Sequence, residues 1–233
     1  MFTHIVQRYE WFDHVASLGN DYGWRPRALW DLDRFRGDAP VHSALDLGCG
    51  TGELARLVAH HYPSARVLAA DFTPAMLSRA RDESASRRER GRLAFARATA
   101  MRLPFADASF DLVTNAFLAR NLSDLSVALR EMRRVTRPGG TVLTLEITEP
   151  VSPTFGRVFH AYFDRVVPWL GAAVGSAGPY RYLPESLRSL PSRAAFTRTL
   201  SDAGFARTAA IPQSLGIVTT FLAEAGRAGA QSR

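Results

Sequence analysis

Lysine is absent from this 233-residue chain: all 29 basic residues are arginine. That absence excludes Schiff-base chemistry, including pyridoxal enzymes and lysine aldolases. It also excludes the phosphate-binding lysines of Walker-type loops and protein kinases. Cysteine is nearly absent. The single Cys49 cannot close an internal disulfide or build a multi-cysteine zinc site, and the chain needs no oxidising compartment. The six histidines are not spaced as metal ligands; the adjacent His60 and His61 face differently on a helix, so no metal is expected. Long hydrophobic runs are lacking too. Nothing approaches the roughly 18–20 apolar residues that cross a bilayer, and residues 1–10 carry no apolar targeting core. A cytoplasmic protein is the expectation, with peripheral contact at the inner membrane surface left open.

What is present is an ordinary globular composition, 46% hydrophobic and 22% charged, sufficient for one domain with a sizeable core. The net charge of +7 raises nucleic acid as a partner. The densest arginine cluster, from Arg79 to Arg92, is interleaved with Asp82, Glu83 and Glu89 and reads as a solvated helix face, so no nucleic acid is expected. Residues 2–37 show helical spacing, broken at Gly19, Gly23 and Pro26. From residue 41, strands (43–47, 65–70, 93–96, 110–115, 141–147) alternate with helices (54–62, 74–81, 122–136), the last stopped by Pro138-Gly139-Gly140. An aromatic stretch over 150–195 interrupts this order, with Phe155, Phe159, Phe163 and Val167 on one helical face. A helix over 194–203 and strands near 205–211 and 217–222 close the chain. The alternation predicts an α/β fold with a mostly parallel sheet. Its divisions are a helical cap (1–40), a core (41–149), a substrate-cap insertion (150–195) and closing elements (196–233).

The central signal is Asp46-Leu47-Gly48-Cys49-Gly50-Thr51-Gly52-Glu53, a strand running into alternate glycines and then a helix. Glycines there let the backbone turn and approach a ligand beside a helix N-terminus. Asp71 ends the next strand 19 residues after Gly52, where a carboxylate can bind the hydroxyls of an adenosine ribose. The spacing is not the dinucleotide fingerprint: the third glycine comes one residue early and Glu53 would repel a pyrophosphate. A nucleoside ligand without phosphates fits better, and S-adenosylmethionine is one. Asp46 is placed to meet its ammonium, or else to cap the glycine turn. Asp71 has the alternative role of helix cap before Pro74. Cys49 reads as a small buried loop residue, not a nucleophile.

The sequence resembles the ubiquinone/menaquinone C-methyltransferases, within the class I S-adenosylmethionine-dependent methyltransferases. The resemblance covers nearly the whole chain. It rests on Phe2, Ile5, Tyr9, Glu10, Ser17, Gly19, Trp24 and Arg25; on Leu103-Pro104-Phe105, Ser109-Phe110-Asp111 and Phe117-Leu118-Ala119-Arg120-Asn121; on Ala128 to Val135 with Arg137-Pro138-Gly139-Gly140 and Leu145-Glu146; and on Tyr180-Arg181-Tyr182-Leu183-Pro184-Glu185-Ser186-Leu187.

The resemblance implies a Rossmann-like fold with a seven-stranded sheet, helices on both faces and a helical substrate cap. The implied reaction moves a methyl group from S-adenosylmethionine to a ring carbon of a prenylated quinol. The implied cofactor residues are Asp46, Gly48, Gly50, Thr51, Gly52, Asp71, Phe72, Thr99, Ala100 and Ala116. Arg120 is the candidate phenolate stabiliser, or else a structural ion-pair partner, and Tyr9 and Asp13 are candidate pocket residues. Thr99 replaces the family's acidic or amide residue, Asp13 its asparagine, Leu118 a glycine and Phe221 a histidine; the last two are expected near the substrate. The aromatic stripe is either a wall for a prenyl tail, a membrane-touching face, or packing against the sheet or a second copy, which leaves room for a homodimer. Two further readings stay open: a methyltransferase of a secondary-metabolite phenol or polyketide, and an S-adenosylmethionine-binding protein that transfers no methyl group.

Overall fold

A computed structural model describes residues 21–85, 90–152, 156 and 191–226. Seven strands form one sheet in the order β3-β2-β1-β4-β5-β7-β6: β1 Ser43–Leu47, β2 Arg66–Asp71, β3 Leu93–Arg97, β4 Phe110–Ala116, β5 Thr136–Ile147, β6 Phe205–Gln213 and β7 Val218–Ala225. The pairings from β3 through β5 are parallel, and β7 runs antiparallel to both β5 and β6. Among the described residues five α-helices accompany it: α1 Asp21–Arg36, α2 Glu53–His61, α3 Pro74–Ser84, α4 Leu125–Val135 and α5 Arg193–Asp202.

The two-residue period of a strand sends alternate side chains to opposite faces. In β1, Ala44 joins the core on the side of α1 and α2, with Leu29, Leu32, Ala55 and Val58. Leu45 and Leu47 join the core on the side of α4 and α5, with Leu129, Met132, Phe196 and Leu200. Asp46 lies between those two, so its carboxylate is on the α1–α2 side. Each central strand is thus apolar on both faces, as a sheet covered on both sides requires.

Two local expectations are corrected. Helix α1 runs through Gly23 and Pro26 rather than breaking there. A proline near a helix start forfeits one N–H bond, and the burial of Trp24, Ala28, Leu29 and Leu32 offsets it. The Trp24 indole also donates to Ser214 Oγ at 2.7 Å, tying α1 to the turn before β7. Helix α4 starts at Leu125, because Asp124 caps it by accepting from the Val127 N–H at 3.0 Å. It ends at Val135 because Thr136 is already extended. Pro138-Gly139-Gly140 therefore lies inside β5, at a shift in the β4–β5 register, where Gly139 has φ +77°. Gly140 is also sterically fixed: a Cβ there would sit 2.9 Å from two backbone oxygens, those of Asp111 and Arg137. Gly140→Ala is expected to cost about 1–3 kcal/mol, read as a lower melting temperature. Gly91→Ala, where a Cβ meets open space, should be near neutral.

The insertion over 150–195 and the residues before 21, with Tyr9, Asp13 and the aromatic stripe, lie largely or wholly outside the described residues.

Candidate active site

The connections after β1, β2, β3 and β4 open onto one cavity of about 920 Å³, which α1 and the start of α2 also line. It lies at the carboxyl ends of the strands where β1 has β2 on one side and β4 on the other. In open α/β sheets this is where ligands bind.

The turn after β1 is built from left-handed glycines, with φ +67° at Gly48, +55° at Gly50 and +83° at Gly52. Their roles differ. A Cβ on Gly50 would project into open space, so its absence leaves the backbone bare toward the cavity. A Cβ on Gly52 would lie 3.2 Å from Ala80 of α3, so Gly52 serves close packing. Accordingly Gly52 does not line the cavity, whereas Asp46, Gly48, Gly50, Thr51, Asp71, Phe72, Thr99, Ala100 and Ala116 do.

The loop amides are largely spent inside the protein. Gly48 and Cys49 donate to the Ala70 carbonyl, and Gly52 donates to the Cys49 carbonyl. Gly50 N–H donates to Asp71 Oδ2 at 2.9 Å, and Thr73 N–H to Asp71 Oδ1 at 2.8 Å. Asp71 is thereby oriented by one N–H per oxygen, and a carboxylate oxygen has a second lone pair to offer. The local turn and a ligand role coexist on this residue.

Asp46 is 1% exposed. Its Oδ1 accepts from Thr114 Oγ1 at 2.8 Å, while its buried Oδ2 has no hydrogen-bond partner. Burial pushes its pKa up to about 7, against the Thr114 hydrogen bond, the charge of Arg25 and the nearby Ala55 backbone N–H, which falls short of hydrogen-bond geometry. An unpartnered buried carboxylate oxygen on a cavity wall suits a cationic ligand group. Cys49 is buried too; burial and the charges of Asp46 and Asp71 push its thiol up, which makes it a poor nucleophile. No cluster of metal-ligating side chains occurs among the described residues.

Phe72 is 63% exposed, with the Arg97 guanidinium 5.0 Å from its ring centre. Thr99 Oγ1 accepts a long bond from the Met101 N–H at 3.4 Å. Leu118 lines the cavity beside Gly48, whose Cβ would lie 2.7 Å from its Cδ1. Phe221 is elsewhere: it is fully buried against Phe196, with ring centres 4.2 Å apart. The expectation that it borders the substrate is corrected. Its alternation in β7 turns it to the α5 side of the sheet, where an aromatic ring fills the core.

Arg120 also stands apart from the cavity lining. Its side chain is 2% exposed and pairs with Glu146 at 2.7 Å. Glu146 additionally accepts the backbone N–H groups of Arg120 and Ile147. The Arg120 guanidinium lies 5.3 Å from the ring centre of Phe117, which does line the cavity. Phe117 is non-glycine at φ +56°, a conformation costing about 1–2 kcal/mol of the kind that gathers at functional sites. Sequence reasoning assigned no role to Arg25, Phe117 or Asn121, all of which border the cavity. The signal at hand was the Trp24-Arg25 pair within the N-terminal motif.

The family model described as the ubiE/COQ5 methyltransferase family matches residues 1–224. The chain is similar to a demethylmenaquinone methyltransferase of Thermus thermophilus, 42% identical over 88% of this chain and 91% of the relative. It is 36% identical to a ubiquinone/menaquinone biosynthesis C-methyltransferase of Geobacter sulfurreducens, over 97% of this chain and 87% of the relative. In fold it resembles the crystal structure of a SAM-dependent methyltransferase from Aquifex aeolicus, with a TM-score of 0.60 and 17% identity over 84% of this chain and 88% of the other.

Proposed function

From its membership of the ubiE/COQ5 methyltransferase family, we propose that the protein methylates a ring carbon of a prenylated quinol, demethylmenaquinol or a ubiquinone precursor, using S-adenosylmethionine. The carrying observation is the cavity at the β1–β4 switch. An unpartnered carboxylate oxygen (Asp46), an oriented carboxylate (Asp71) and a bare backbone (Gly50) meet there. This set suits a ligand with an ammonium, a ribose and no phosphate.

When bound, the cofactor supplies an electron-poor methyl group on a sulfonium. The chain's own residues do the rest. Asp71 holds ribose hydroxyls, Asp46 the ammonium, Phe72 offers its exposed ring to the adenine, and the Thr99 hydroxyl accepts from the adenine amino group. Gly48, Thr51, Ala100 and Ala116 shape the walls. A quinol carbon becomes nucleophilic once a ring hydroxyl loses its proton, so the site must stabilise a phenolate and take up protons. Arg120 is the proposed stabiliser. Arginine stays charged, so a polarised water is the proton acceptor. Tyr9 and Asp13, outside the described residues, are the further proposed substrate-pocket residues. The charge of +7 suits a protein that meets anionic headgroups around a prenylated substrate.

A second reading, methylation of a smaller phenol, is favoured by Leu118, whose side chain fills cavity space beside Gly48. Incubation with methyl-labelled S-adenosylmethionine distinguishes the two. Label entering demethylmenaquinol supports the first, and label entering only simple phenols supports the second. Binding without transfer to any acceptor would leave a non-methylating binder.

The raised Asp46 pKa sets a pH dependence. Below about 7 the free carboxyl is protonated and cannot pair with an ammonium. Affinity for S-adenosylmethionine is therefore expected to fall about tenfold per pH unit below 7 and to level off above it. Folding stability runs the other way: a carboxyl with a raised folded pKa contributes most at low pH, and its contribution is lost as pH rises through about 7. Calorimetric titrations across this range check the slope, and Asp46→Asn should abolish it.

A further inference from the structure

We propose that Arg25 is the carboxylate-binding residue of the cofactor pocket, a role in which the ligand's carboxylate takes the place of Glu53. The inference rests on the S-adenosylmethionine reading and deepens it.

The amino-acid end of that ligand carries both signs. Asp46 answers the ammonium, and the carboxylate needs donors of its own. Loop amides beside a helix N-terminus are the usual candidates, yet the Gly48, Cys49, Gly50 and Gly52 N–H groups all donate within the protein. Arg56 is turned away: Nη1 donates to the Thr51 carbonyl at 2.7 Å and Nη2 to Glu83 of α3 at 3.1 Å.

Arg25 differs. It lines the cavity from α1, and its side chain is 11% exposed. Its Nη2 is 3.2 Å from Glu53 Oε2, and the Glu53 side chain is 42% exposed. A guanidinium held mainly by a half-exposed carboxylate can exchange that partner for another at little cost, since exposed pairs contribute little. A planar guanidinium also matches a carboxylate edge to edge. Phe117 supports it, with its ring centre 5.4 Å from the guanidinium carbon. The charge of Arg25 acts on Asp46, as neighbouring sites for a carboxylate and an ammonium on one carbon require.

The test compares S-adenosylmethionine with decarboxylated S-adenosylmethionine, which keeps the ammonium and sulfonium, by calorimetry on the full chain. Arg25→Met is expected to lower affinity for the first by about 10- to 100-fold and for the second by a much smaller factor, the part that comes through the Asp46 charge alone. Arg25→Gln, which keeps a polar side chain, should behave alike and serves if the methionine variant does not fold; Arg25→Lys should restore part of the discrimination. Asp46→Asn should weaken both ligands. Equal losses for both ligands in the Arg25 variants, or undiminished S-adenosylmethionine affinity, would overturn the proposal. Failure of the unsubstituted protein to bind either ligand would instead overturn the cofactor reading on which it stands.

Discussion

Arg120→Met is expected to lose about 3–5 kcal/mol of folding stability, the usual cost of breaking a buried ion pair from one side. At about 2–4 °C per kcal/mol for a chain of this size, the melting temperature should drop by roughly 6–20 °C. Glu146 is 0% exposed and would lose its arginine partner. It would remain held in place by the Arg120 and Ile147 backbone N–H groups, so it cannot swing to solvent. Adding Glu146→Gln removes the carboxylate, and its single amide oxygen still accepts one of those two N–H groups, which now bond different carboxylate oxygens. Part of the lost stability should return in the double variant. Turnover should not: loss of a donor that stabilises developing charge costs about 100- to 1000-fold. Melting curves and initial rates on the same three proteins separate the two roles. Turnover that recovers together with stability would show that Arg120 serves the fold alone.

Asp71→Ala is the second large effect. It is expected to lower affinity for S-adenosylhomocysteine by about 100-fold or more, the equivalent of two hydrogen bonds to a charged acceptor. Part of the loss is direct, through the ribose hydroxyls. Part is indirect, because the Gly50 N–H would lose the acceptor that holds the turn against β2. Asp71 is half-buried at a strand end, so the fold should be little affected, and a normal melting temperature beside lost binding is the signature. A variant that binds within threefold of the original would remove Asp71 from the cofactor set.

These residues show why some of the site was legible in sequence and some was not. Strand β1 occupies the residues its apolar run indicated, and Asp46 and Asp71 fall on the cavity because strand, glycine turn and helix are contiguous there. Gly52 was read with its neighbours, yet it packs on α3, since nothing in a glycine shows which side its missing Cβ would face. The Arg120–Glu146 pair joins residues 26 apart on different elements, beyond the reach of local pattern. Pro26 and Pro138 were read as breaks from their intrinsic conformation, and tertiary burial and a register shift overrode that preference. Phe221 was placed at the substrate by analogy; its alternation along β7, opposite in sense to Leu222, was the physical signal that it faces the α5 core.

The most direct measurement gives the purified protein S-adenosylmethionine with a deuterated methyl group together with demethylmenaquinol, and locates the label in the product by mass spectrometry and NMR. The structure and family together predict the deuterated methyl on a ring carbon of the quinol. Label on a quinol oxygen, or none in the quinol while a simple phenol is methylated, would contradict that account.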